Sequence, residues 1–154
     1  MPEPQLKVET NPSPIMLQFL EEQINQHNIH ITGFDDYLPL AIFVPDSQNN
    51  LIAALSGYTW GRCCEINFLW VHTSYRHQGY GRRLLQTAEL EAVHRNCQLV
   101  VLDSYSFQAP DFYRQLGYTV CGMIEDCPRG HRRYYLHKRL DSHREGTDQE
   151  EFPN

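Results

Sequence analysis

The chain has 154 residues, 41% hydrophobic and 21% charged, which suffices for one domain with a sizeable core. No apolar run approaches bilayer length, and Met1-Pro2-Glu3-Pro4 does not read as a signal peptide, so no membrane is expected and a cytoplasmic location is the default. A formal net charge of −6 argues against a nucleic-acid binder held by a broad basic face, and the five cysteines and eight histidines show neither a disulfide framework nor metal-ligand spacing.

Leu6 to Val8 has the character of a short strand, and Asn11-Pro12-Ser13-Pro14 is a break before a helix. From Ile15 the apolar positions Leu17, Leu20 and Ile24 recur at helical spacing, which predicts a helix ending near His27. Leu38–Val44 and Leu51–Trp60 are rich in branched and aromatic residues, and the turn chemistry from Pro45 to Asn50 makes them a hairpin. A third run, Glu65–Val71, has Ile66, Phe68 and Trp70 alternating with Asn67 and Leu69, which sets Glu65 on the side opposite Ile66, Phe68 and Trp70.

The segment Arg76-His77-Gln78-Gly79-Tyr80-Gly81-Arg82-Arg83-Leu84-Leu85 then opens a helix whose stripe is Gly81, Leu84, Leu85, Ala88 and Ala92. Gln98–Leu102 is a short apolar run expected as a strand covered on both faces, parallel to Glu65–Val71 through a helical crossover. Ala109–Leu116 reads as a helix with Phe112 and Leu116 on one face, stopped by Gly117. Tyr118–Ile124 and Arg133–Leu140 flank Pro128-Arg129-Gly130 and suggest a closing hairpin. Residues 5–140 are expected to form a single domain, and the polar, acidic residues 141–154 a flexible tail.

Two closely spaced glycines at a helix start suit an anion. Gly79 and Gly81 permit backbone angles closed to other residues and a close ligand approach, while the first N–H groups of a helix lack internal acceptors. Arg76, Arg82 and Arg83 add positive charge. A lone Gly-x-Gly equally fits a glycine-capped loop before an ordinary amphipathic helix.

Arg76-His77-Gln78-Gly79-Tyr80-Gly81 resembles the acetyl-CoA signature of the GCN5-related N-acetyltransferase (GNAT) superfamily: Gln or Arg, two residues, Gly, one residue, Gly or Ala. A second family element, a helix closing in Tyr before a Gly-aromatic pair, is matched by Ala109 to Tyr118, and the resemblance runs from about Leu38 to Leu140. It implies a mixed α/β (α+β) fold, with a mostly antiparallel central sheet of about six to seven strands, splayed at its centre and flanked by about three helices. It also implies an N-acetyltransferase that moves an acetyl group directly from acetyl-CoA to a primary amine in a ternary complex.

In that resemblance Leu69, Trp70 and Val71 pair with the pantothenate arm of acetyl-CoA. Arg76, His77, Gln78, Gly79, Tyr80, Gly81 and Arg82 surround its pyrophosphate. Tyr113 matches the tyrosine that meets the CoA sulfur and protonates the leaving thiolate. Ser106 stands where the family often has an Asn near the CoA arm, and Glu65, eleven residues before Arg76, has the spacing of a catalytic glutamate. The alternatives for these last residues are a core aromatic at Tyr113 and a solvated strand-end carboxylate at Glu65. No metal is implied.

The acceptor is bounded only by chemistry. Tyr58, Trp60, Asp103, Ser104, Tyr105, Glu125, Asp126 and His131 are candidate pocket walls, which favours a small cationic amine and leaves peptide or protein amines open. Cys63 and Cys64 raise a ping-pong route, but neither has a His–Asp partnership nearby in sequence. A non-catalytic acyl-CoA sensor is the competing reading, and a homodimer is left open. A dinucleotide-binding oxidoreductase is disfavoured because Leu84 occupies the third glycine position.

Overall fold

A computed structural model describes Met1 and residues 3–140, so the expected tail at 141–154 lies outside the described residues. The chain divides into two compact units, Met1–Asp35 and the remainder from Asp36 onward. The first unit carries α1 (Pro14–Thr32), which runs five residues past the end predicted near His27, with Pro14 in its first turn. Gly33 closes it in a left-handed conformation, φ 74°, and donates its N–H to the Ile29 carbonyl. No residue of α1 is buried. Leu6–Val8 is not a strand, since three extended residues gain nothing without a neighbouring edge to pair with.

The second unit is a six-stranded sheet in the order β1-β2-β3-β4-β6-β5, formed by β1 (Leu38–Pro45), β2 (Leu51–Trp60), β3 (Cys63–Val71), β4 (Leu99–Tyr105), β5 (Thr119–Glu125) and β6 (Arg132–Arg139). All neighbours are antiparallel except β3 and β4. That parallel pair requires a crossover, supplied by α2 (Tyr80–His94), while α3 (Pro110–Gln115) bridges β4 to β5. Sheet class and helix number match the resemblance.

α2 lays Leu84, Leu85, Ala88 and Ala92, the predicted stripe, onto the sheet. They meet Leu40, Ala53, Leu55, Cys64, Ile66, Val100, Leu102 and Leu136 in one core. Two polar staples fix the helix there. Arg95, at its C-terminal end, pairs with Glu91 and donates from one terminal nitrogen toward the Leu38 and Pro39 carbonyls and Thr59. Farther along, Glu89 accepts from the Tyr118 hydroxyl and from Lys138 of β6, both at 2.9 Å. Among the described residues no buried side-chain nitrogen or oxygen lacks a hydrogen-bond partner.

One irregularity corrects the sequence reading. Ser56 pairs with Phe68 and Gly57 with Ile66, so Asn67 is an extra residue in β3, a bulge. The bulge reverses the alternation beyond it: Ile66 shares the core face with Leu69 and Val71, while Phe68 and Trp70 turn outward at 74% and 43% exposure. Phe68 and Trp70 therefore leave the face of Ile66. Glu65 keeps its place opposite Ile66 and so falls on the outward side with them.

The bulge needs a glycine beside it. A Cβ on Gly57 would stand 2.0 Å from the Glu65 carbonyl oxygen and 3.1 Å from the Ile66 Cα, both backbone atoms that cannot rotate away. Gly57→Ala is expected to force β2 and β3 apart and to lower the unfolding free energy by about 3 kcal/mol, read by urea denaturation. A loss below about 0.5 kcal/mol, the size of an ordinary surface change, would show that the bulge tolerates a side chain.

Candidate active site

The parallel pairing of β3 with β4 runs only from Cys63–Leu99 to Ile66–Leu102. Beyond it β3 continues to Val71 and β4 to Tyr105, so the two strands part directly after Ile66. The bulge falls at the parting point. Phe68 to Val71 remain paired with β2 on one side only, which leaves a strand edge at the centre of the sheet facing a gap. An extended, amide-bearing ligand can pair with such an edge. Leu69, Trp70 and Val71 all lie along it.

At the end of this edge the chain turns through a short 3-10 helix (Thr73–Tyr75) into the glycine segment. Arg76 donates Nε–H to the Val71 carbonyl at 3.2 Å, and the Gln78 side-chain amide donates to the Ser74 carbonyl. These bonds fold the loop onto the strand end. His77 and Gly79 both take positive φ, 60° and 83°, whereas Gly81 does not. Gly79 is the N-cap of α2, and the first intrahelical bond is Arg83 N–H to its carbonyl. The N–H groups of Gly79, Tyr80, Gly81 and Arg82 thus precede any internal acceptor and converge at the positive end of the helix. Arg76 and Arg82 are exposed beside them, while Arg83 leans over the Tyr80 ring at 6.0 Å.

Gly81 serves packing and not an unusual backbone angle. A Cβ there would meet Phe112 Cζ at 3.3 Å and Leu69 Cδ2 at 3.7 Å, so the bare backbone lets α3 close on the helix start. The next residue of α3, Tyr113, packs on the core with its ring near those of Phe112 and Tyr118. Burial, and then the negative charge of Asp103, hold its phenol above the ordinary range. Its hydroxyl has no hydrogen-bond partner among the described residues, yet no buried polar atom is orphaned. The hydroxyl is therefore accessible. It is a phenol kept protonated through the neutral range.

Glu65 lies on the other face of the sheet. Its cross-strand neighbour on β2 is Tyr58, whose hydroxyl donates to Glu65 Oε2 at 2.5 Å, while Tyr37 stacks obliquely on the Tyr58 ring at 5.2 Å. Burial, followed by the bond to Glu65, pushes the Tyr58 phenol up to about 12. Two residues beyond the Glu65 partner Val101, Asp103 on the same face pairs with Arg133 at 2.9 Å. The Arg133 guanidinium stands over the Tyr105 and Tyr135 rings.

Ser106 is committed to β6: its Oγ accepts from the Arg132 N–H and its own N–H donates to the Arg132 carbonyl. Burial pushes the Cys64 thiol up to about 12, so it is not a thiolate at neutral pH, whereas Cys63 is exposed. Among the described residues no group of His, Cys, Asp and Glu comes together to hold a metal, and no helix is long and apolar enough to cross a membrane. A groove of about 440 Å³ lined by Glu89, Leu90, Lys138 and Leu140 shares no residue with the splay, which is an open cleft between strand ends. Sequence reasoning missed the Tyr58–Glu65 and Asp103–Arg133 pairs, because cross-strand partners depend on register. Gly57 inside a strand was a legible sign of the bulge.

A split parallel pair, a bulge at the split and an anion cradle at the end of the freed edge define an acyltransferase of the acyl-CoA-using kind. The chain matches the Acetyltransferase (GNAT) family over residues 10–118 and belongs to that family. It is 31% identical to blasticidin-S acetyltransferase of Streptomyces morookaense over 101 residues, 65% of this chain and 74% of that protein. A crystal structure of an acetyltransferase from Bacillus cereus ATCC 14579 is 34% identical and superposes with a TM-score of 0.75, covering 87% of this chain and 98% of that one. A structure assigned to an acetyltransferase of Agrobacterium tumefaciens, 24% identical, has the same fold with a TM-score of 0.82 over 88% of this chain and 99% of that one.

Two measurements probe the site's construction. Gly79→Ala has open space for its Cβ but a φ of 83°, so its stability cost, about 1–2 kcal/mol, comes from backbone angle and is the same in a Phe112→Leu background. The cost of Gly81→Ala comes from Phe112 and shrinks in that background; equal coupling of both glycines to Phe112 in a double-mutant cycle would contradict this division. For Cys64 and Tyr58 the folded groups titrate higher than the unfolded ones, near 12 against 9 and 10. The stability they contribute is therefore complete below about pH 9 and lost as pH rises toward 12. Urea midpoints should fall between pH 9 and pH 10.5, and Cys64→Ala should flatten the early part of that fall.

Proposed function

We propose that the protein transfers an acetyl group from acetyl-CoA to the primary amine of a small cationic acceptor, in one step within a ternary complex. The observation that carries this reading is the Tyr113 hydroxyl, unpartnered and accessible, on the helix that packs against the anion cradle. The cradle N–H groups of Gln78 to Arg82 hold the pyrophosphate, with Arg76 and Arg82 beside it, and His77 and Gly79 shape the loop. The pantothenate arm extends the free edge of Leu69 to Val71, which delivers the thioester to the gap opened at Asn67. A backbone N–H at the bulge polarises the thioester carbonyl.

Acceptor and donor then meet from opposite faces of the sheet. Tyr113 packs with the core on one face, and Glu65 opens on the other. A substrate ammonium, with a pKa near about 10, gives its proton to Glu65 directly or through a water. The amine nitrogen attacks the thioester carbon, the C–N bond forms as the C–S bond breaks, the thiolate takes the Tyr113 proton, and the nitrogen's second proton passes through water to restore the Tyr113 phenol. The raised phenol pKa suits this role, because Tyr113 remains protonated until the thiolate develops. Cys64 takes no part in a covalent route, since its thiol is buried and protonated.

Acceptor chemistry is supported by the face that receives it. Glu65 sets a carboxylate near the gap, and Tyr58, Phe68 and Trp70 give the same face aromatic surface suited to a cation, while Arg133 already engages Asp103, Tyr105 and Tyr135. The relative that bears the name blasticidin-S acetyltransferase makes blasticidin S the first acceptor to try.

Release of CoA thiol is measured over blasticidin S, polyamines, aminoglycosides, amino acids and lysine-containing peptides. A small cationic amine should give the highest kcat/KM, and Glu65→Gln and Tyr113→Phe should each lower kcat by about 10²-fold with little change in the KM for acetyl-CoA. Acetyl-CoA binding without turnover on any amine, together with an inert Tyr113→Phe change, would favour the acyl-CoA sensor instead.

A further inference from the structure

We propose that Tyr58 is a positioning residue for Glu65, its hydroxyl fixing the carboxylate in one orientation at the open side of the splay. The proposal rests on the reading of Glu65 as the base, and it begins from register. The β2–β3 bulge falls between Ser56 and Gly57, and Tyr58 and Glu65 are the next directly opposed outward-facing pair. Because the pairing from Gly57–Ile66 to Trp60–Cys63 is regular, the two side chains cannot avoid one another.

The contact they make has a defined direction. Glu65 ionised is an acceptor only, so the 2.5 Å bond must use the tyrosine proton. Tyr58 carries that proton throughout the neutral range, since burial and the bond itself push its phenol up to about 12. The donor is also held still. Its ring is half-buried and stacks on Tyr37 at 5.2 Å, just ahead of β1, while Asp36 anchors that segment by accepting the Gly61 N–H at 2.9 Å.

Only Oε2 of Glu65 is engaged by Tyr58, and Oε1 makes no hydrogen bond among the described residues. One oxygen is tethered and the other is left for the acceptor's proton or a water. Other titratable groups face Glu65: Cys63 on its own strand, Tyr37 beside Tyr58, Asp103 two residues past Val101 on β4, and His137 opposite Val101 on β6. Asp103 is neutralised by Arg133, so it does not replace the tyrosine as the group that sets the carboxylate. Without the Tyr58 hydroxyl the Glu65 carboxylate should sample more than one rotamer.

The test uses the full chain labelled with ¹³C at glutamate Cδ, the Glu65 resonance being assigned by its loss in Glu65→Gln. In the unmodified protein the Glu65 Cδ should give one sharp resonance, and in Tyr58→Phe that resonance should shift or broaden as the carboxylate samples more than one rotamer. With blasticidin S as acceptor, kcat should fall about tenfold in Tyr58→Phe with the KM for acetyl-CoA unchanged, and acetyl-CoA should protect both proteins equally against thermal unfolding. An unchanged resonance overturns the proposal, as does a changed resonance with an unchanged kcat. Full activity in Glu65→Gln would instead overturn the reading of Glu65 as the base, and the resonance would still report whether the pair exists.

Discussion

The close approach of Gly57 to the Glu65 carbonyl is the constraint on which the site depends. With no side chain at Gly57, β2 can crowd β3 at the point where Asn67 is inserted. The insertion bends β3 away from β4, ends the parallel ladder after Ile66–Leu102, and leaves a sheet edge in the interior of the fold where an edge is normally a liability. The same event reverses the side-chain alternation, sending Leu69 and Val71 to the core and Phe68 and Trp70 outward. Strand geometry, ligand edge and acceptor surface follow from one missing methyl group.

A second contact ties the donor end to the chemistry. Gly81 and Phe112 meet across the α2–α3 junction, so the N–H groups of the cradle and the Tyr113 phenol are held in one packed assembly. The helix that carries the cradle is fixed by polar contacts in its C-terminal half. Glu89 joins Tyr118 and Lys138 on one side, and Arg95 reaches the start of β1 on the other. Arg95 donates to two strand carbonyls, which makes it a structural cation at the opposite end of the helix from Arg82 and Arg83.

Much of this was legible in the sequence. The hairpin Leu38–Trp60, the crossover helix with its Leu84, Leu85, Ala88 and Ala92 stripe, and the closing strands follow from periodicities that burial enforces locally. The glycine segment was legible because helix starts and positive φ demand specific residues, although its two glycines work differently: Gly79 by backbone angle, Gly81 by contact. Strict alternation through Ile66, Phe68 and Trp70 failed because a bulge adds a residue without changing composition. Leu6–Val8 failed because a strand is a property of a pair, and no propensity supplies the partner. The Tyr58–Glu65 contact required the register, which one strand alone does not contain.

The bulge would also let the proposed acid and base, remote in sequence and on opposite faces, share one target. In an unbroken sheet the layer of backbone hydrogen bonds would separate Tyr113 from Glu65, and a group reaching one would be shielded from the other. Parting β3 from β4 opens that layer directly after Ile66, next to Glu65. In the proposed reaction a thioester carried along the β3 edge would present its sulfur toward the phenol and its carbonyl carbon toward the polar face. Burial would keep the phenol protonated while the carboxylate on the outward face stays open to the acceptor, two requirements that a single pocket would set against each other.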